Sequence, residues 1–111
     1  SSSLLEIPRG AFDLYEYFRE LARKRVKKEN IEAREVSLTQ REIREYTGLN
    51  QVWVKRHIKI LLDYEYITLA RGGKARSKGH YQLREDVPME EVNLSMIPTP
   101  EALKQKIQGK K

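Results

Sequence analysis

"TQREIREYTGLNQVWVKRHIKILLD", Thr39 to Asp63, is the stretch whose reading decides the fold. Thr39 is followed three residues on by Glu42, the spacing of a capping box that opens a helix. The segment "QREIREYT" then makes about two turns, with Ile43 and Tyr46 expected on its inner face. Gly48 stands where a helix of this kind ends, because glycine accepts the left-handed backbone of a helix C-terminus. Leu49 leads into Asn50, a side chain suited to capping a second helix. In that helix Val54, Ile58, Leu61 and Leu62 recur at helical spacing and form an apolar stripe. Val52, Arg56, Lys59 and Asp63 stand opposite, with Trp53 and Lys55 on the flanks.

Two capped helices joined by a short glycine turn form a helix-turn-helix signature, and the flanking sequence extends it. Upstream, "PRGAFDLYEYFRELARKRVKKENIEAR" (residues 8–34) reads as one long helix. Its apolar positions Ala11, Phe12, Leu14, Tyr15, Phe18, Leu21, Ala22 and Val26 follow the same period. The basic run Arg23–Lys28 falls in its last turns, where cations suit the negative end of the helix dipole. Glu35-Val36-Ser37 is expected to form a short strand. Downstream, Ile67–Leu69 and His80–Leu83 favour strand and flank "ARGGKARSKG", a glycine-rich basic loop, so a β-hairpin is expected. The remainder, from Glu85, is acidic first and then carries Pro88, Pro98 and Pro100. Thr99 is placed to cap a last short helix with Pro100 at its first position. The expected fold is mainly α with a small β-hairpin. Residues 1–9 are assigned to an N-terminal linker or remnant, 10–84 to the domain and 85–111 to a C-terminal tail.

The totals agree with one small domain. The chain has 111 residues, of which 39% are apolar and 34% charged, enough for a single modest core. No apolar run approaches the roughly 20 residues that span a bilayer, and no secretory signal is visible, so a cytoplasmic chain is expected. The absence of cysteine excludes disulfides, thiolate metal sites and a cysteine nucleophile. The net charge is +6. Residues 37–84 hold 10 Lys/Arg against 4 Asp/Glu and so carry the whole excess. A concentrated positive section suits a polyanionic partner.

The order helix, short strand, helix, turn, helix, hairpin resembles a winged helix-turn-helix domain over about residues 10–84. Gly48, Asn50, Leu61 and the pair Tyr66-Ile67 stand where such domains have a turn glycine, a polar cap, a core leucine and the opening of the wing. Glu65 departs from the pattern, since many members have glycine there. A narrower resemblance, over "SLTQREIREYTGLNQVWVKRHIKILLDYEYITLARGGKARSKGHYQL", is to C-terminal winged-helix segments of primase- or helicase-like replication proteins of phages and other mobile elements. It implies a module of a larger protein whose other domains are partners. A role in transcription regulation fits the superfamily equally.

The resemblance implies duplex DNA as the partner, with the helix at about 50–63 in the major groove and the wing, 70–80, on the backbone or minor groove. The residues expected to touch DNA are then Asn50, Gln51, Val52, Trp53, Lys55 and Arg56, with Lys59 on a phosphate. Gln pairs well with adenine, Arg with guanine and an apolar side chain with a thymine methyl. Arg71, Lys74, Arg76 and Lys78 supply the wing cations. Thr39, Gln40 and Arg41 meet a phosphate at the start of the preceding helix. Trp53 lies about 100° round the helix from Val54 and is expected at the flank or groove. The alternative is that it folds back onto the first helix as core.

Other chemistry finds little support. His57 and His80 lack metal-ligand spacing. The pairs Glu85-Asp86 and Glu90-Glu91 have no cleft around them, and "ARGGKARSKG" lacks the phosphate-loop pattern. No enzyme activity and no cofactor are expected, and the chain is read as a monomer or homodimer. The rival reading is a protein–protein module with Trp53, Val52 and Ile60 as its anchor. Its weakness is the basic wing, because interface cores are depleted of charge.

Overall fold

The computed structural model describes residues 7–70, 79–84 and 97–109. Among these the chain is mainly helical with a small antiparallel sheet. Helix α1 (Arg9–Glu29) is followed by a 3-10 turn at Ala33–Glu35, strand β1 (Leu38–Thr39), helices α2 (Gln40–Thr47) and α3 (Gln51–Asp63), strands β2 (Ile67–Leu69) and β3 (His80–Leu83), and helix α4 (Pro100–Gly109). No described helix is long and apolar enough to cross a membrane.

Local chemistry accounts for the helix ends. Thr39 Oγ1 accepts from the Glu42 amide at 3.1 Å, while Glu42 Oε1 accepts from the Thr39 amide at 2.9 Å. The capping box therefore opens α2 as its sequence requires. Gly48 closes it in the left-handed region, φ 77°. Thr47 secures the turn: its hydroxyl donates to Ile43 O at 2.8 Å and accepts from Leu49 N at 3.2 Å. Asn50 Oδ1 accepts from the Trp53 amide at 2.7 Å and starts α3. At the far end, Tyr66 N donates to Leu61 O and Glu65 N to Leu62 O, the pair of bonds that defines a Schellman close. Glu65 occupies its left-handed position with φ 63°, where glycine would be unstrained.

Three elements differ from the sequence reading. Helix α1 stops at Glu29, short of residue 34, because Asn30 turns left-handed (φ 55°) and Ile31 N bonds back to Val26 O. Asn tolerates that conformation better than most residues. The expected strand at 35–37 lies instead at Leu38–Thr39. Glu35 is held in the 3-10 turn, its carboxylate accepting from Glu32 N. Tyr46 is exposed and Thr47 is buried in its place beside Ile43, one turn earlier on the same face.

The sheet has the order β1-β3-β2. Leu38 pairs with Tyr81 and Thr39 with His80, while Ile67, Thr68 and Leu69 face Leu83, Gln82 and Tyr81. The central strand thus joins the start of α2 to the strand that leaves α3. Leu14 and Phe18 of α1, Leu38, Ile43, Val54, Ile58 and Leu61, and Ile67 fill the core. The C-terminal helix also packs on it through Leu103 and Ile107, and Ile97 just ahead of the helix joins them. Thr99 Oγ1 caps α4 by accepting from Ala102 N, and Tyr17 donates its hydroxyl proton to Pro98 O.

Candidate functional site

Helix α3 presents Gln51, Val52, Lys55, Arg56 and Lys59 to solvent, opposite its buried stripe. Val52, Lys55, Arg56 and Lys59 line an open groove of about 560 Å³ together with Gln40, Ile58, Leu62 and Tyr81. A second groove of about 440 Å³ is lined by Thr39, Gln40, Arg41, Arg44 and Tyr81. Gln40 and Tyr81 are common to both, and Gln40 Nε2 donates to the Tyr81 hydroxyl at 3.1 Å. The grooves therefore meet at one hydrogen-bonded pair. Among the described residues, neither is lined by a carboxylate.

The cations divide into engaged and available groups. On α1, Arg23 and Lys24 approach Glu20, and Arg25 bridges Glu29 and Glu42. These ion pairs account for much of the basic run at the end of α1. In the grooves, Arg41 pairs with Glu45 at 3.3 Å and Lys59 with Asp63 at 3.3 Å. Both pairs are solvent-exposed and cost little to break. Lys55 and Arg56 are exposed and form no ion pair among the described residues.

Thr39 and Asn50 are occupied as helix caps, which places them at the site's edges as architecture. Asn50 also borders a cleft of about 50 Å³ with Gly48, Leu49, Lys104, Ile107 and Gln108, where α4 meets the turn between α2 and α3. Arg71, Lys74, Arg76 and Lys78 lie outside the described residues.

Trp53 requires a correction. Of the two readings the sequence leaves for it, a contact at the flank or groove and core against the first helix, the structure takes the second: Trp53 is only 9% exposed and belongs to the core. The flank on which it lies is covered by α1. Gly10 makes that close approach possible: a Cβ placed on it would lie 2.7 Å from His57 Nε2 and 3.3 Å from Trp53 Cζ2. His57, one turn along, stacks on the indole with centroids 4.0 Å apart and donates from Nδ1 to Trp53 O at 2.8 Å. Burial holds the His57 pKa below its ordinary value, a shift that the hydrogen bond to Trp53 O opposes and nearby Arg56 reinforces. Nearby Asp13, also buried, is shifted up by desolvation despite its ion pair with Arg9.

Tyr81, Arg44 and Leu62 line the grooves and were not among the expected contacts. Arg44 follows Gln40 by one helical turn, so its position was legible from the period. Leu62 was assigned to the core stripe and is half-buried at its margin. Tyr81 is brought in by strand register, which no local pattern announces.

Among the described residues, no group of three or more His, Cys, Asp or Glu is placed to hold a metal ion. What the surface offers is cations, amide donors and an apolar floor in an open groove. Compared with protein-family models, curated proteins and solved structures, the chain gives no match.

Proposed function

We propose that the chain is a winged helix-turn-helix module that binds duplex DNA and catalyses no reaction of its own. The observation that carries this reading is the outward face of α3, where Gln51 is exposed at its start and Lys55 and Arg56, exposed and without ion pairs among the described residues, share with Val52 a groove that no described carboxylate lines. An α-helix about 10–12 Å across fits a major groove about 12 Å wide. With α3 inserted, Gln51, Val52 and Arg56 reach base edges, while Lys55 and Lys59 serve phosphates. The start of α2, with Gln40, Arg41 and Arg44, supports a backbone contact at the neighbouring groove. The basic sequence between β2 and β3 would add to the charge. The resemblance of this region to modules of replication proteins supports a role in holding DNA for a larger assembly.

Fluorescence anisotropy with a labelled duplex of random sequence tests the proposal. If the module neutralises about five to seven phosphates, log affinity falls against log salt with a slope of roughly −4 to −6. Arg56→Ala should relax preference at one base pair at a cost of about 1–3 kcal/mol. Absence of binding at low salt, or binding that ignores salt, would overturn the reading and favour a protein partner for the same face.

A further inference from the structure

Val52 is the most exposed large hydrophobic residue on the described surface, at 67%. A lone exposed valine needs no explanation. This one shares a groove with three other apolar-bodied side chains, Ile58, Leu62 and Tyr81. The rim of that groove is polar and cationic: Gln40, Lys55, Arg56 and Lys59. A partner that fits must therefore be anionic at its edges and carry small apolar groups between them. In the major groove of DNA the apolar group is the 5-methyl of thymine, flanked by phosphates on either side.

We infer that the Val52 groove reads pyrimidine 5-methyl groups in duplex DNA. The inference rests on the DNA-binding reading and names the base feature that α3 selects. Its geometry follows from the helix. Val52 is in the first turn of α3, the part that reaches deepest toward base edges in this class of docking. Lys55 and Arg56, one turn along on the same side, hold the phosphates and a neighbouring base. The Gln40–Tyr81 hydrogen bond sets the opposite wall, so the width of the groove is fixed by α2 and β3 and does not depend on α3 alone. Charge draws the duplex in, and the apolar floor discriminates between bases that differ by one methyl.

The test uses one A·T-rich duplex of about 20 bp made in two forms, with thymidine or with deoxyuridine throughout; it keeps charge and base-pair hydrogen bonding and removes only methyl groups. Each methyl buried against Val52 should be worth about three- to five-fold in affinity. The chain should thus prefer the thymidine duplex by at least that factor. Val52→Ala should bring the ratio toward one while leaving the salt slope unchanged, because it touches no phosphate contact. Replacing cytosine by 5-methylcytosine in a G·C-rich duplex should raise affinity in the same sense. Equal binding of thymidine and deoxyuridine duplexes, with strong salt dependence retained, would overturn methyl reading and leave DNA binding standing. A Val52→Ala variant that keeps the full thymidine preference would also overturn it. Failure to bind either duplex at low salt would remove the DNA-binding reading and this inference with it.

Discussion

Replacing Trp53 by alanine should cost this protein a large share of its stability. The indole is 9% exposed, packed between α3 and the start of α1, and stacked on His57. A buried tryptophan removes about 150–250 Å² from water. At about 25 cal/mol per Å² that corresponds to roughly 4–6 kcal/mol, and buried Phe or Trp to Ala substitutions measure about 3–5 kcal/mol. Collapse of α1 into the void is resisted by Leu14 and Phe18, already seated in the core further along the same helix. In a domain of this size each kcal/mol shifts Tm by about 4–8 °C, so a fall of at least about 12 °C is expected. Circular dichroism melts of wild type, Trp53→Ala and Trp53→Phe measure it, the phenylalanine variant lying between the others. Wild-type emission should be blue-shifted, as for an indole shielded from water. Arg56→Ala is the control and should leave Tm nearly unchanged, since an exposed surface substitution changes stability by about 0.5 kcal/mol or less. A Trp53→Ala variant melting within a few degrees of wild type, together with red-shifted wild-type emission, would refute the core assignment.

Three further outcomes follow from the same geometry. Gly10→Ala should destabilise by about 1–3 kcal/mol, because its Cβ would fall 2.7 Å from His57 Nε2; an unchanged Tm would show that the contact between α1 and α3 relaxes freely. Glu65→Gly should raise stability by about 0.5–1 kcal/mol, read as a small upward shift in denaturant midpoint, by relieving a left-handed backbone at φ 63°. The depressed His57 pKa means that the unfolded chain takes up a proton first as pH falls below 6.5, so stability present above that pH declines toward the folded pKa. His57→Gln should flatten that part of the profile. Asp13 works in the opposite sense, its raised carboxyl contributing at low pH and ceasing to as pH rises, so the variant is needed to assign the slope.

Helix starts and stops in the middle of the chain were legible residue by residue. Thr39 with Glu42, Gly48 and Asn50 act within a few residues of themselves, so their hydrogen bonds are the same wherever the helices pack. The outward row Val52, Lys55, Arg56 and Lys59 followed from the period of α3 and the position of its apolar stripe. The sequence reading carries helix α1 to residue 34 because no glycine or proline interrupts the run after Gly10, whereas a single left-handed Asn30 ends it.

What periodicity leaves open is the neighbour that each flank meets. Val52 and Trp53 are adjacent in sequence and both off the centre of the apolar stripe, yet one is exposed and the other buried. The difference is Gly10, far away in sequence, whose missing side chain lets α1 close over one flank only. Tyr81 enters the grooves for a similar reason: alternation along β3 places it on one face or the other, and pairing with Leu38 and Leu69 chooses which. The sequence by itself thus determined the caps, the turn and the exposed cationic row, all set by short-range hydrogen bonding and helical period. The tertiary structure alone decided that Trp53 is core and that Tyr81 and Gln40 wall the groove, because those positions depend on how closely elements distant in the chain can approach.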